Sequence, residues 1–125
     1  MDEAEVCRAA IDGVVAIRDA LAALNEARQA ANQPVFDVDI ALHQGEVMYG
    51  NIRSRDRFDF TVIGPAVNEV SRMEALCGEL GVSVLVSRKL YDLTVSSGTA
   101  KGLRSLGFHE LRGVREAQEL FTLGE

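Results

Sequence analysis

From Glu3 to Ala31 apolar residues recur three or four apart, at Val6, Ala10, Val14, Ile17, Leu21 and Leu24, the spacing of one buried helical stripe. Asp2, Glu3 and Glu5 lie where a helix dipole favours negative charge, and Asn32-Gln33-Pro34 supplies the stop. The period then changes to two. Phe36, Val38, Ile40 and Leu42 alternate with Asp37, Asp39 and Ala41, which predicts a strand with one buried face. Gly45 and Gly50 interrupt it, and a basic tip from Arg53 to Arg57 leads into Phe58, Phe60 and Val62. Two alternating runs so joined pair most simply as antiparallel neighbours.

Helical spacing returns from Ala66 to Leu80, through Val67, Val70, Met73, Cys77 and Leu80, and Pro65 suits the first turn of that helix. Val82 to Val86 is a short apolar strand, and Ser87 can cap a short helix from Arg88 to Leu93. Ser96 to Thr99 is a loop, and two further strands, Ser105 to Leu111 and Glu119 to Leu123, flank a turn around Gly113. This order predicts an α+β fold, an antiparallel sheet with packed helices.

At 125 residues the chain has room for one domain or a piece of one, and its 47% hydrophobic and 26% charged content is that of a globular protein. Apolar runs fall short of the roughly 18 residues needed to cross a bilayer. The N-terminus is acidic, unlike a secretion signal, so a cytoplasmic location is expected. A net charge of −6 argues against nucleic acid as a partner, because a polyanion binder needs a basic face. Cys7 and Cys77, each within a helical pattern, read as small buried hydrophobes rather than a disulfide or a metal pair.

Three stretches then resemble, in order, the class III adenylyl/guanylyl cyclase catalytic domain: His43-Gln44-Gly45-Glu46-Val47 with Gly50-Asn51, Phe60 to Asn68 (FTVIGPAVN) with Arg72, and Glu110-Leu111-Arg112-Gly113-Val114. The middle stretch is the most specific. The resemblance spans almost the whole chain, residues 1–125, as the C-terminal portion of that ferredoxin-like domain, lacking its N-terminal strands and helices. In the family a ribose 3′-hydroxyl attacks the α-phosphate of a nucleoside triphosphate and releases pyrophosphate. By resemblance the catalytic residues are Asn68, which would orient the ribose, and Arg72, which would stabilise charge growing on the α-phosphate. The residue types suit these tasks: an amide holds a sugar oxygen, and a guanidinium offers planar, permanent donors. Four apart on a helix, they project from one face.

Thr61 matches the position that helps read the base, which makes ATP the better substrate than GTP; a β-branched strand residue is its ordinary alternative. Arg112 stands where a triphosphate-contacting lysine is common, and an exposed hairpin arginine is the alternative. The ordinary alternative makes Asn68 a helix-start residue and Arg72 a solvated charge paired with Glu69, Glu74 or Glu79. His43 reads as a buried or hydrogen-bonded strand-end histidine, with no neighbouring histidine or cysteine to make it a metal ligand. Pro65 and Arg53 depart from the family pattern, and Arg53, Arg55 and Arg57 form either a solvated turn or a contact for an acidic partner.

The two metal-binding aspartates of the family belong to its first half, and neither motif occurs here. Asp37 and Asp39 share a strand face but are read as surface residues, so Mg²⁺ or Mn²⁺ is expected in the complete family domain and none on this chain alone. These observations imply a piece of an adenylate cyclase that makes cyclic AMP only when the missing half is supplied, by a homodimer or a complementing cyclase domain. The alternative is a non-catalytic pseudo-cyclase module that pairs with a full cyclase and regulates it. A truncated product without a role is a third reading. An uncovered sheet edge also predicts marginal stability as a monomer.

Overall fold

The computed structural model describes residues 2–45, 48–53, 58–96, 102–112 and 116–123. Helix α1 (Glu3–Ala30) begins where Asp2 accepts a hydrogen bond from the Glu5 amide at 2.8 Å, carries Glu3 and Glu5 in its first turn and has Arg28 in its last. The acidic first turn is the dipole term expected from the sequence, and the structure adds the Asp2 cap and the Arg28 charge at the other end. The buried stripe differs, however. Cys7, Ile11 and Val14 are its buried residues, whereas Val6, Ile17 and Leu24 are about half exposed. At its start the stripe runs one residue later than expected, at Cys7 and Ile11, and it shares only Val14 with the expected set, because the helix packs against α4 (Arg88–Ser96) as well as the sheet.

The sheet has four strands in the order β1 (Ile40–Leu42), β4 (Val84–Ser87), β6 (Gln118–Leu123), β5 (Leu103–His109). β1 and β4 run parallel, while β4–β6 and β6–β5 are antiparallel. A separate antiparallel ribbon joins β2 (Met48–Arg53) to β3 (Phe58–Ile63), with Gly50 opposite Thr61. Two expectations are thereby corrected. The 58–62 run pairs with 48–53 rather than with 36–42, and the 36–42 run enters the sheet beside β4. Only Ile40–Leu42 of that run is strand, because Asn25 engages both backbone groups of Phe36 at 2.9 Å and Arg28 donates to the Pro34 carbonyl at 2.6 Å. Arg28 also stacks on the Phe36 ring, 4.5 Å from its centroid. Residues 34–36 are therefore tied to α1 before they can join a ladder.

β4 is buried along its whole length and alternates between two clusters. Val84 and Val86 join Cys7, Ile11, Val14, Leu90 and Phe121 on one face; Leu85 joins Met73, Cys77, Leu111 and Leu120 on the other. The first face is covered by α1 and α4, and the second by α2 (Pro65–Ala75) and α3 (Cys77–Leu80). The single helix expected from Ala66 to Leu80 is thus two pieces. At Leu76 the amide bonds to Met73 three residues back, at 2.9 Å, which tightens and ends the turn. Ser87 accepts from the Leu90 amide at 3.3 Å, as expected of a cap. Cys7 and Cys77 are buried, free and in different clusters. No helix among the described residues is long and apolar enough to cross a membrane.

Candidate functional site

α2 carries the two residues that the sequence singled out for chemistry, and its start is unusual. Its N-cap is Gly64, with φ of 141°, a conformation open to glycine and closed to residues with a Cβ. No side chain caps the helix, and Pro65 fills its first turn. The Val67 and Asn68 amides turn back to the Gly64 carbonyl at 3.1 and 3.3 Å. From this start the helix presents Asn68 to solvent and Arg72 half-buried one turn later.

Arg72 lines a cleft of about 600 Å³ together with Arg112, which arrives from the chain just beyond β5. Ser71, Ala75 and Leu76 form the helix wall, Leu111 the floor, and Glu79 and Glu110 also border the space. No Arg72 ion pair forms among the described residues, so the local pairing with Glu69, Glu74 or Glu79 weighed from the sequence is not made. The structure therefore brings Arg72 and Arg112 to one cleft. Asn68 stands one turn before Arg72 on the same helix, outside that lining. Thr61 is placed by its backbone in β3, opposite Gly50.

His43 follows β1 and is a hydrogen-bonded strand-end histidine, as expected: its Nε2 lies 2.7 Å from Oε2 of Glu69 in α2. Beside it, a Cβ on Gly45 would come within 2.6 Å of the Ala66 Cβ. The first turn of α2 thus rests directly on the chain leaving β1. Sequence reasoning had weighed Glu69 only as a partner of Arg72; the histidine at a strand end and the glutamate just past a helix's first turn were both visible, but not their proximity. Glu46, Val47, Gly113, Val114 and the basic tip at Arg55 and Arg57 lie outside the described residues, as does the Arg53 side chain.

No group of three or more His, Cys, Asp or Glu side chains is placed to hold a metal among the described residues. Asp37 borders a groove between α1 and β1 rather than a carboxylate cluster. The described residues do not fit a metal, and no chemical step is assigned to one on this chain.

Comparison with known proteins adds three likenesses. The chain is 33% identical over 81 residues to adenylate cyclase 1 of Rhizobium meliloti (strain 1021), covering 65% of this chain and 12% of that protein. It is 32% identical over 85 residues to an adenylate cyclase of Anabaena cylindrica, covering 65% of this chain and 17% of the relative. The whole chain superposes on 62% of the adenylyl cyclase CyaB from P. aeruginosa, with a TM-score of 0.81 at 20% identity, which speaks for the fold. No family model matches the sequence. The chain spans under a fifth of the length of those two sequence relatives.

Proposed function

We propose, from the premise that sequence and fold together place this chain with the class III nucleotide cyclase catalytic domains, that it supplies the nucleotide-contacting part of an adenylyl cyclase site. The observation that carries this reading is the cleft shared by Arg72 and Arg112. Two arginines distant in sequence line one space open to solvent, and Arg72 makes no ion pair among the described residues. Glu79 and Glu110 balance the cleft's formal charge, so it offers a phosphate directed donors rather than net positive potential.

In this proposal Arg72 faces the α-phosphate of ATP and offsets the charge that grows there as the 3′-hydroxyl attacks and pyrophosphate leaves. Arg112 holds the rest of the triphosphate. The Asn68 amide, exposed on the same helix, holds a ribose oxygen. Thr61 helps select adenine. A partner domain, a second copy or another cyclase, brings the aspartates and with them Mg²⁺ or Mn²⁺, so this stretch alone makes no cyclic AMP.

The test mixes the chain with an adenylyl cyclase domain whose own transition-state arginine is replaced and whose aspartates are intact, in Mn-ATP. Cyclic AMP is expected from the mixture and not from either component. Arg72→Ala should lower the rate by about 100-fold or more. Product from the purified chain alone overturns the incompleteness. Tight association without product turns the reading to a regulatory module.

A further inference from the structure

The His43–Glu69 contact lies outside the cleft, yet it acts on the helix that furnishes the cleft. Three observations meet there. The start of α2 has no side-chain cap. The chain leaving β1 approaches it so closely at Gly45 that even a methyl group would meet Ala66. And the His43 side chain, only 11% exposed, reaches Glu69 at 2.7 Å. We infer that His43 is a positioning residue: through Glu69 it fixes the rotation of α2 and so the directions in which Asn68 and Arg72 leave that helix. This inference rests on the nucleotide-site reading above for its functional consequence, and on the contact itself for its structural one.

The geometry follows from helical periodicity. Glu69 precedes Arg72 by three, so the two leave the helix on neighbouring positions of one face, while Asn68, one residue earlier, leaves it about 100° away. A single bond at Glu69 resists rotation about the helix axis, the motion that would swing Asn68 and Arg72 together. Pro65 and the close approach of Gly45 fix translation at the same end. Without a capping side chain, little else in the first turn restrains the helix start.

The ring's surroundings also set its tautomer. His43 Nδ1 is buried and has no hydrogen-bond partner. A neutral ring with its proton on Nε2 donates to the Glu69 carboxylate and leaves only a lone pair buried at Nδ1. The other neutral tautomer would set two acceptors 2.7 Å apart while burying an unpaired donor. Lys89 from α4 and Gln118 from β6 border the same space, of about 420 Å³, so the contact is approached from two further elements.

Three variants separate positioning from mere burial. H43L removes the donor, E69L removes the acceptor, and E69Q keeps an acceptor oxygen. In the complemented enzyme, saturated with chain, H43L and E69L should each lower kcat by about tenfold, since small misplacements of reacting groups cost rate steeply. KM should stay within about twofold and E69Q should retain most of the activity. The double variant H43L/E69L should be no worse than either single one, the signature of a shared contact. Equal losses in E69Q and E69L, or additive losses in the double variant, overturn the inference.

A second measurement needs no enzyme. In ¹⁵N NMR spectra of the chain alone, the Asn68 side-chain amide and the Arg72 Nε–H should move in H43L and E69L and hold their wild-type positions in E69Q; long-range couplings should show the proton on Nε2 of His43. Unmoved resonances in both leucine variants overturn the inference whatever the activity. If the resonances move as expected while the wild-type mixture makes no cyclic AMP, positioning stands and the cyclase reading falls. Should H43L not fold, E69L carries the test, because Glu69 is the more exposed partner.

Discussion

α1 and α2 cover opposite faces of one sheet and are held there by different chemistry. The polar anchors of α1 are mostly near it in sequence: Asp2 at its start, and Asn25 and Arg28 gripping residues 34 and 36 at its end, with Gln44 donating to Glu3 from farther along the chain. Its 28 residues bury only three side chains. α2 is less than half as long and has no side-chain cap, yet its Met73 packs with Leu85, Leu111 and Leu120, and the helix meets a histidine and a glycine from the chain between β1 and β2. A helix fixed by its own neighbours can vary outward from its core without disturbing the rest. A helix fixed by distant groups transmits any change in them to the residues it presents, which for α2 are Asn68 and Arg72.

The largest break in this comparison should come from Leu85→Ala. Leu85 is fully buried at the centre of the α2 face, and Leu→Ala at such sites leaves a cavity costing about 3 kcal/mol. Urea unfolding should show that loss, and with it a weakened cleft. A cost under about 1 kcal/mol would mean that the α2 face collapses around the gap and is no more exacting than the α1 face.

The same face should be the more sensitive to alkali. Burial first, then Asp39 and Glu74, pushes the Cys77 thiol up to about 11 from an ordinary 9.0. A raised value in the fold means that the unfolded chain ionises first. The neutral thiol's contribution is therefore complete below pH 9 and is lost as pH climbs from 9 through 11. The loss should approach about 3 kcal/mol, read as the difference in alkaline slope between the wild type and Cys77→Ala. Identical slopes would show that the thiol reaches solvent.

How much of this was written in the sequence divides along the same line. The acidic start of α1, the Ser87 cap and the buried cysteines follow from local pattern, whereas the 66–80 helix divides in two and residues 36–62 hold three strands rather than two. The resemblance located α2 and its two candidate side chains. Pairing was less accessible. Alternation at Phe36 to Leu42 signals an extended chain but not its neighbour, and the grip of Asn25 on Phe36 decides how little of it becomes strand. Likewise His43 and Glu69 were each visible, while the contact between them depends on a parallel β1–β4 pairing that no local pattern announces. Arg72 and Arg112 share a cleft for the same non-local reason.

On the α1 face a medium effect is expected where the anchoring is local. Asp2→Ala removes the oxygen that receives the Glu5 amide and should cost about 1 kcal/mol. Restoring the cap with Asp2→Ser should recover most of it. The loss should appear as fraying of the first turn in amide exchange, with Cys7 and the sheet beneath it unaffected. Exchange spreading to Val84 and Val86 would show that α1 is coupled to the sheet as tightly as α2.

The smallest effect should come from Leu24→Gln, and it is the most direct probe of the stripe that the sequence misplaced. Leu24 is 47% exposed, beyond the last buried residue of α1, so replacing it with a polar side chain gives up little apolar burial. Gln forms helix about as well as Leu, which removes propensity from the comparison. The expected change is within about 0.5 kcal/mol at micromolar protein. A larger loss that grows with protein concentration would mean that Leu24 is covered in an assembly, together with the neighbouring exposed Ile17 and Phe36. A larger loss independent of concentration would mean that the chain itself closes over this end of the helix, and that α1 is held by more than its local anchors.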